Sequence, residues 1–198
     1  MGYPRRRPAG AEQPAPSAPQ IFWLWAPLHF DDMCTHLAMF EHTNGDRWLQ
    51  QGLIVPTLAS TDAATWGPDT GALIECHDIA YKLAWRPGTR EMATAELSMT
   101  AQGERHTIEF ERLFTFRMRG IGYGHPQWLH GSPHGQLEVG GESMLHSELN
   151  PEDGTNIHIQ TVCRVTMGER RGVGILEQLA FGDHHPTGLR GITTGFAG

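Results

Sequence analysis

Three groups of side chains in this sequence have the types and spacing that chemistry needs. The first is near the start of the chain: Trp23, Trp25, His29, Asp31, Asp32 and His36. A histidine three residues from a carboxylate, as in His29 and Asp32, can form a hydrogen-bonded acid–base pair. The second is Gly120–Gly131, GIGYGHPQWLHG, which sets Tyr123, His125, Trp128 and His130 among four glycines. Glycine lets the backbone approach other groups closely, so these rings either line a pocket or sit on a long connection plugging one end of the fold. The third consists of charged residues that share the phase of apolar neighbours. Arg112 is in phase with Phe110 and Phe114, Glu177 with Val173, Ile175, Leu179 and Phe181, and Glu41 with Leu37 and Met39. A buried charge is costly unless paired, so Arg112 is expected inside with Glu177 and Glu41 as its acids, forming an ion-pair network or a ligand pocket. A bulge that shifts the phase is the competing reading.

Histidine is abundant, at twelve residues. His125, His130 and His134 could converge with His29 or His36, but no HxH, HExxH or facial-triad spacing occurs, so no metal is expected. His184 and His185 lie in a segment rich in proline and glycine and are expected to be solvated. Cys34, Cys76 and Cys163 are odd in number and far apart, without CxxC or CxxH spacing. They are read as free thiols in a reducing cytoplasm, with no cofactor implied.

The elements that must position these groups follow a period of two. Ile79, Tyr81, Leu83 and Trp85 alternate with Asp78, Ala80, Lys82 and Ala84, and a turn follows at Arg86-Pro87-Gly88-Thr89. Ala93, Ala95, Leu97 and Met99 continue the pattern, and the turn Ala101-Gln102-Gly103-Glu104 leads to Ile108, Phe110, Phe114, Phe116 and Met118. This is an antiparallel meander. Strands at 36–43 and 47–55 flank Asn44-Gly45, a favoured hairpin turn. Further strands are expected at 136–145, 157–167 and 173–181. No segment has a capped 3.6 period, so the chain is all-β with little helix. Eight or nine such strands in a meander predict a closed β-barrel, which removes exposed edges.

Residues 1–19 contain five prolines and almost no large apolar side chain, and are read as a disordered tail or linker before a single domain at 20–198. The chain is 39% hydrophobic and 19% charged, with no apolar run near the roughly 18 residues of a membrane helix. The arginines at 5–7 precede no apolar core of a secretory signal. A net charge of −7 argues against a nucleic-acid surface, which needs clustered lysine and arginine.

The stretches Phe22–Asp32 and Gly120–Gly131, together with Val139–Ser143 and Gly172–Gln178, resemble bacterial proteins related to hydroxyneurosporene synthase (carotenoid 1,2-hydratase) and the AttH-type lipocalin-like proteins. The resemblance covers about residues 21–183. It implies a lipocalin-like barrel and, since such chains normally carry two barrels in tandem, it matches the C-terminal half. An isolated half is expected to associate, as a homodimer or with a partner barrel. The family's hydratases add water across a terminal alkene, and related members guide polyene cyclisation. Both need an apolar pocket, a carboxylic acid kept protonated by burial, and aromatic faces for the developing cation. The resemblance therefore offers Glu41 or Glu177 as the acid, with Asp32–His29 competing, and Trp25, Tyr123 and Trp128 as faces. His36, Arg112, His125 and His130 complete the expected lining. The functional expectation is binding of an isoprenoid- or polyketide-like molecule, with acid-catalysed hydration or isomerisation as the enzyme reading. The alternative is a non-catalytic barrel that binds a lipid-like ligand or serves a partner subunit.

Overall fold

The computed structural model describes residues 20–58, 73–118, 127 and 133–197. The tail read at 1–19 lies outside them, as do Tyr123, His125, Trp128 and His130. The strands are β1 Ile21–Phe30, β2 Met33–Glu41, β3 Arg47–Pro56, β4 Ile74–Trp85, β5 Met92–Ala101, β6 Glu104–Arg117, β7 His158–Met167 and β8 Arg170–Phe181. Each pairs antiparallel with the next, and β8 pairs with β1, so the eight strands close into a barrel. Among the described residues helix is limited to three single 3-10 turns, and none is long and apolar enough to cross a membrane. The short turns obey local chemistry: Gln102 and Gly103 both take positive φ, 51° and 83°, the backbone a tight hairpin with the strands' own twist requires.

The interior is filled by one phase of each strand. Phe22, Leu24, Ala26 and Leu28 enter from β1, Leu37 and Met39 from β2, and Leu97 and Met99 from β5. Ile108 and Phe110 of β6 meet Cys163 and Val165 of β7.

Three phases differ from the sequence expectation. At the start of β5 Met92 is buried in the core and Ala93 is exposed, the register with β4 shifting between Ala84 and Trp85. On β8 the interior is filled by Leu176, Gln178 and Ala180, so Glu177 and Val173 lie on the outer wall. The inward face of β8 also carries Gly172 and Gly174. A Cβ there would stand 2.3 Å from the carbonyl oxygen of His29 and 2.4 Å from that of Pro27. Glycine therefore allows β1 and β8 to close the barrel, and it also erases the apolar signal of the inward phase. On β6 the register slips between Arg112 and Phe114. Phe110 points in, Thr115 and Arg117 resume the buried phase, and Phe114 and Phe116 are left 59% and 53% exposed outside. This is the bulge that opposed the inward reading of Arg112. The strand expected at 136–145 is absent: the segment is irregular and exposed, because the barrel is already closed and offers no edge to pair with.

One end of the barrel is sealed by the segment after β8. Arg90, 1% exposed, donates to the carbonyl oxygens of Ala180, Gly182, Arg190, Gly191 and Thr194 at 2.8–3.2 Å. The Trp85 indole donates to Thr187 O at 3.1 Å. The other end carries the β1–β2, β5–β6 and β7–β8 turns.

Candidate functional site

The three charges expected to share one interior are in separate places. Glu41 is buried at the sealed end of the barrel. Its carboxylate accepts from Arg47 Nε at 2.8 Å, Tyr81 Oη at 2.7 Å and His184 Nε2 at 3.1 Å. Burial alone would raise its pKa, but the bonds from His184, Tyr81 and Arg47 outweigh it and hold the carboxyl below its usual range. The Tyr81 phenol is pushed up by burial and by Glu41. His184 is therefore not solvated as expected: it is buried and stacks on Phe22 with 3.6 Å between ring centroids. His185 is exposed.

Arg112 pairs with Glu91, which the sequence reading missed, and not with Glu177 or Glu41. The 2% exposed Glu91 carboxylate accepts from Arg112 Nε at 2.8 Å, Arg117 Nη2 at 3.0 Å, Arg86 Nη1 at 3.1 Å and the Thr115 hydroxyl. Here too burial pushes the carboxyl up, while Thr115 and the three arginines together bring it below the ordinary value. Glu91 escaped notice because it follows a Pro-Gly turn, just before the alternation of β5 begins.

Glu177 is on the outer wall, where Trp25, its register partner on β1, stands beside it. Trp23 Nε1 donates to its Oε1 at 2.7 Å, Gln160 Nε2 donates to Oε2, and His158 Nε2 is 3.3 Å away. Burial raises its pKa less than His158, Gln160 and Trp23 lower it. Trp25 Nε1 donates to His36 Nε2 at 2.6 Å, which fixes that nitrogen as the unprotonated one, and burial lowers the His36 pKa. The structure thus gathers Trp25, His36 and Glu177 on one outer face rather than in a cavity. His29 and Asp32 do not pair. His29 Nδ1 meets Cys34 Sγ at 3.2 Å, while the Asp32 carboxylate accepts from Arg170 Nε at 3.0 and 3.1 Å. Among the described residues no group of three or more His, Cys, Asp or Glu is placed to hold a metal ion. All three cysteines are free.

The concave site is instead the open end of the barrel, with a cavity of about 650 Å³, a size usual for small-molecule sites. Its apolar lining is Met33, Ile54, Ile74, Ala101 and Met167, the last inward residues of their strands before the turns. Polar residues of the β5–β6 and β7–β8 hairpins complete it: Gln102, Glu104, Arg105, His106, Glu169 and Arg170. Arg105 is held by Ser98 Oγ and Asp78 O, both at 2.6 Å. Sequence reasoning missed this site because period two identifies the inward residues without showing at which end of the barrel they stop touching one another. The available signal was that Met33, Ala101 and Met167 all flank turns that a meander brings to the same end.

A family model described as a family of unknown function (DUF8625) matches residues 4–190. No curated protein and no solved structure matches the chain.

Proposed function

We propose, for a chain that belongs to this family of unknown function, that it binds an apolar small molecule in the open mouth of its barrel and does not transform it. The observation that carries this reading is the 650 Å³ cavity floored by Met33, Ile54, Ile74 and Met167, opposite an end sealed by Arg90. The arrangement suits a lipocalin-like barrel, the architecture implied by the resemblance to hydroxyneurosporene synthase-type proteins, and an isoprenoid- or polyketide-like ligand. Acid-catalysed hydration would need a protonated carboxyl facing the ligand. Glu41 and Glu177 each accept from three donors and are held below the usual carboxylate range, and neither lines the cavity. The non-catalytic branch is therefore the better supported.

The test is fluorescence enhancement of N-phenyl-1-naphthylamine, a neutral apolar probe, and its displacement by farnesol. Ile74→Trp, which fills the mouth, should abolish the enhancement without lowering the melting temperature. Enhancement that survives Ile74→Trp would refute the assignment, and so would its absence in the unaltered chain.

A second reading, association with another barrel, is favoured by the outer wall. Phe114 and Phe116 on β6 and Val173 on β8, the strands on either side of β7, are 59%, 53% and 55% exposed, more apolar surface than a lone barrel needs. Sedimentation velocity should show a species larger than 22.0 kDa that Phe116→Asp dissociates. A clean monomer at tens of micromolar, roughly the range of weak dimers, would sink it.

A further inference from the structure

We propose that the three arginines around Glu91 form an anion site at the sealed end of the barrel, with a doubly charged oxyanion, a phosphoryl group, held against Arg86 and Arg112. This site is at the opposite end from the mouth and is independent of what the mouth binds. Three guanidinium groups converge on one carboxylate, which leaves two positive charges uncompensated. None of the three is paired with any other acid among the described residues. The exposed pairs Lys82–Glu96, Arg164–Glu111 and Arg170–Asp32 instead match one cation to one acid. Acids are not scarce in a chain that has 22 of them against 15 lysines and arginines. Arg117 registers the excess: burial lowers its pKa, Glu91 raises it, and the Arg86 and Arg112 charges lower it again.

The donors for a ligand are those the carboxylate leaves unused. Arg112 engages Glu91 and Thr115 through Nε alone, and Arg86 engages Glu91 through Nη1. Both Nη groups of Arg112, and Nε and Nη2 of Arg86, have no partner among the described residues. These two side chains are partly exposed, whereas Arg117 and Glu91 are buried behind them. Both bonds end on the same carboxylate oxygen, Oε1, at 2.8 and 3.1 Å, so one oxyanion can reach both guanidinium groups. Such forks suit the oxygens of a phosphoryl group, and fixing them beforehand on Glu91 lowers the ordering cost of binding. Access comes from the strand pairing. β5 and β6 are joined only between Ala95–Phe110 and Ala101–Glu104, while β6 runs on beside β7 to Arg117. Past Phe110 the β5–β6 ladder has ended, and the Glu91 cluster spans the interval with side chains.

The experiment is calorimetric titration of inorganic phosphate into the unaltered chain at about pH 8, where the ion is doubly charged, with ionic strength held constant by chloride. Binding should saturate at one site with a Kd on the order of 1 mM. Phenyl phosphate should bind too, more tightly if the natural ligand is an ester and less tightly if it is the free ion. Benzoate, with one charge, should bind at least about threefold more weakly than phenyl phosphate. Arg86→Gln and Arg112→Gln leave the buried Arg117–Glu91 pair in place, and each should weaken phosphate binding about three- to tenfold. The double variant should not bind phosphate, and Arg164→Gln on the outer wall should bind it unchanged. Circular dichroism melts check that the variants fold, and if the double variant does not, the two single variants decide. No saturable heat in the unaltered chain up to about 20 mM phosphate, a Kd range already weaker than about −2.5 kcal/mol, overturns the site. So does a Kd that neither arginine variant changes, and benzoate binding equal to phenyl phosphate overturns the choice of a doubly charged ligand.

Discussion

Replacing Glu91 by glutamine keeps the side chain's size and removes its charge. The consequences differ among its three arginines because their exposure differs. Arg86 and Arg112 have side chains 45% and 30% exposed, so water can take over part of what the carboxylate supplied. Arg117 is 6% exposed and would be stranded, keeping its bond to Asn156 O at 3.1 Å. Removing one partner of a buried pair typically costs about 3–5 kcal/mol, and the retained carbonyl contact places this case near 3. For a chain of this length that is a fall of roughly 6–12 °C in melting temperature. Arg112→Met, by contrast, removes one of three cations and a half-exposed one, and should cost about 1 kcal/mol or less. Thermal melts followed by circular dichroism in the β-sheet band would measure both, and Glu91→Gln/Arg117→Met should recover part of the loss. If Glu91→Gln melts within about 2 °C of the unaltered chain, a change worth about 1 kcal/mol or less, the central carboxylate does not hold this end of the barrel together.

Gly174→Ala would put a methyl group 2.4 Å from the Pro27 carbonyl oxygen, so urea unfolding should show a loss of roughly 3 kcal/mol, the upper range for overpacking. Thiol titration with a chromogenic disulfide should find one accessible cysteine, Cys34. Cys76 should lag because burial raises its pKa, and Cys163, pushed up to about 12, should react only on unfolding. Glu41, Glu91 and Glu177 all have folded-state values below those of unfolded carboxylates, about 4.3. Their contribution is complete above that value and is lost as pH falls through the lower folded ones, so the urea midpoint should drop on acidification below about pH 4. A midpoint unchanged from pH 7 to 3 would contradict the hydrogen-bonded geometry.

The barrel was legible because its strands alternate cleanly where both faces are unambiguous. Ile79 to Trp85 and Ala95 to Met99 show it, and their turns contain Pro-Gly and Gln-Gly. The site was not, for reasons specific to particular residues. Glycines at 172 and 174 left Val173 and Ile175 as the larger apolar side chains of β8, so Glu177 was assigned to the interior with them. The slip after Arg112 turned two phenylalanines outward, and an aromatic on an outer wall carries the same local signature as one in a core. At 136–145 the alternation is present, but a strand also needs a neighbour, and pairing is a property of the whole sheet. Pairings such as Arg112 with Glu91 or His184 with Glu41 join residues distant in sequence, and no spacing rule encodes them.

The seal formed by Arg90 has a consequence for the order of folding. Its acceptors run from Ala180 to Thr194, and β1 finds its second neighbour only in β8. A chain emerging from its N-terminus can form the β2–β3, β4–β5 and β5–β6 hairpins as it appears. It can neither close the cylinder nor cap it until residues 170–194 are free. Until then Arg90 has none of its five carbonyl partners, and β1 exposes one unpaired edge. Such distant pairings make folding slow, on the order of milliseconds to seconds. The vulnerable interval lies between the completion of β7 and the arrival of Thr194, when an open sheet offers two edges to any other chain.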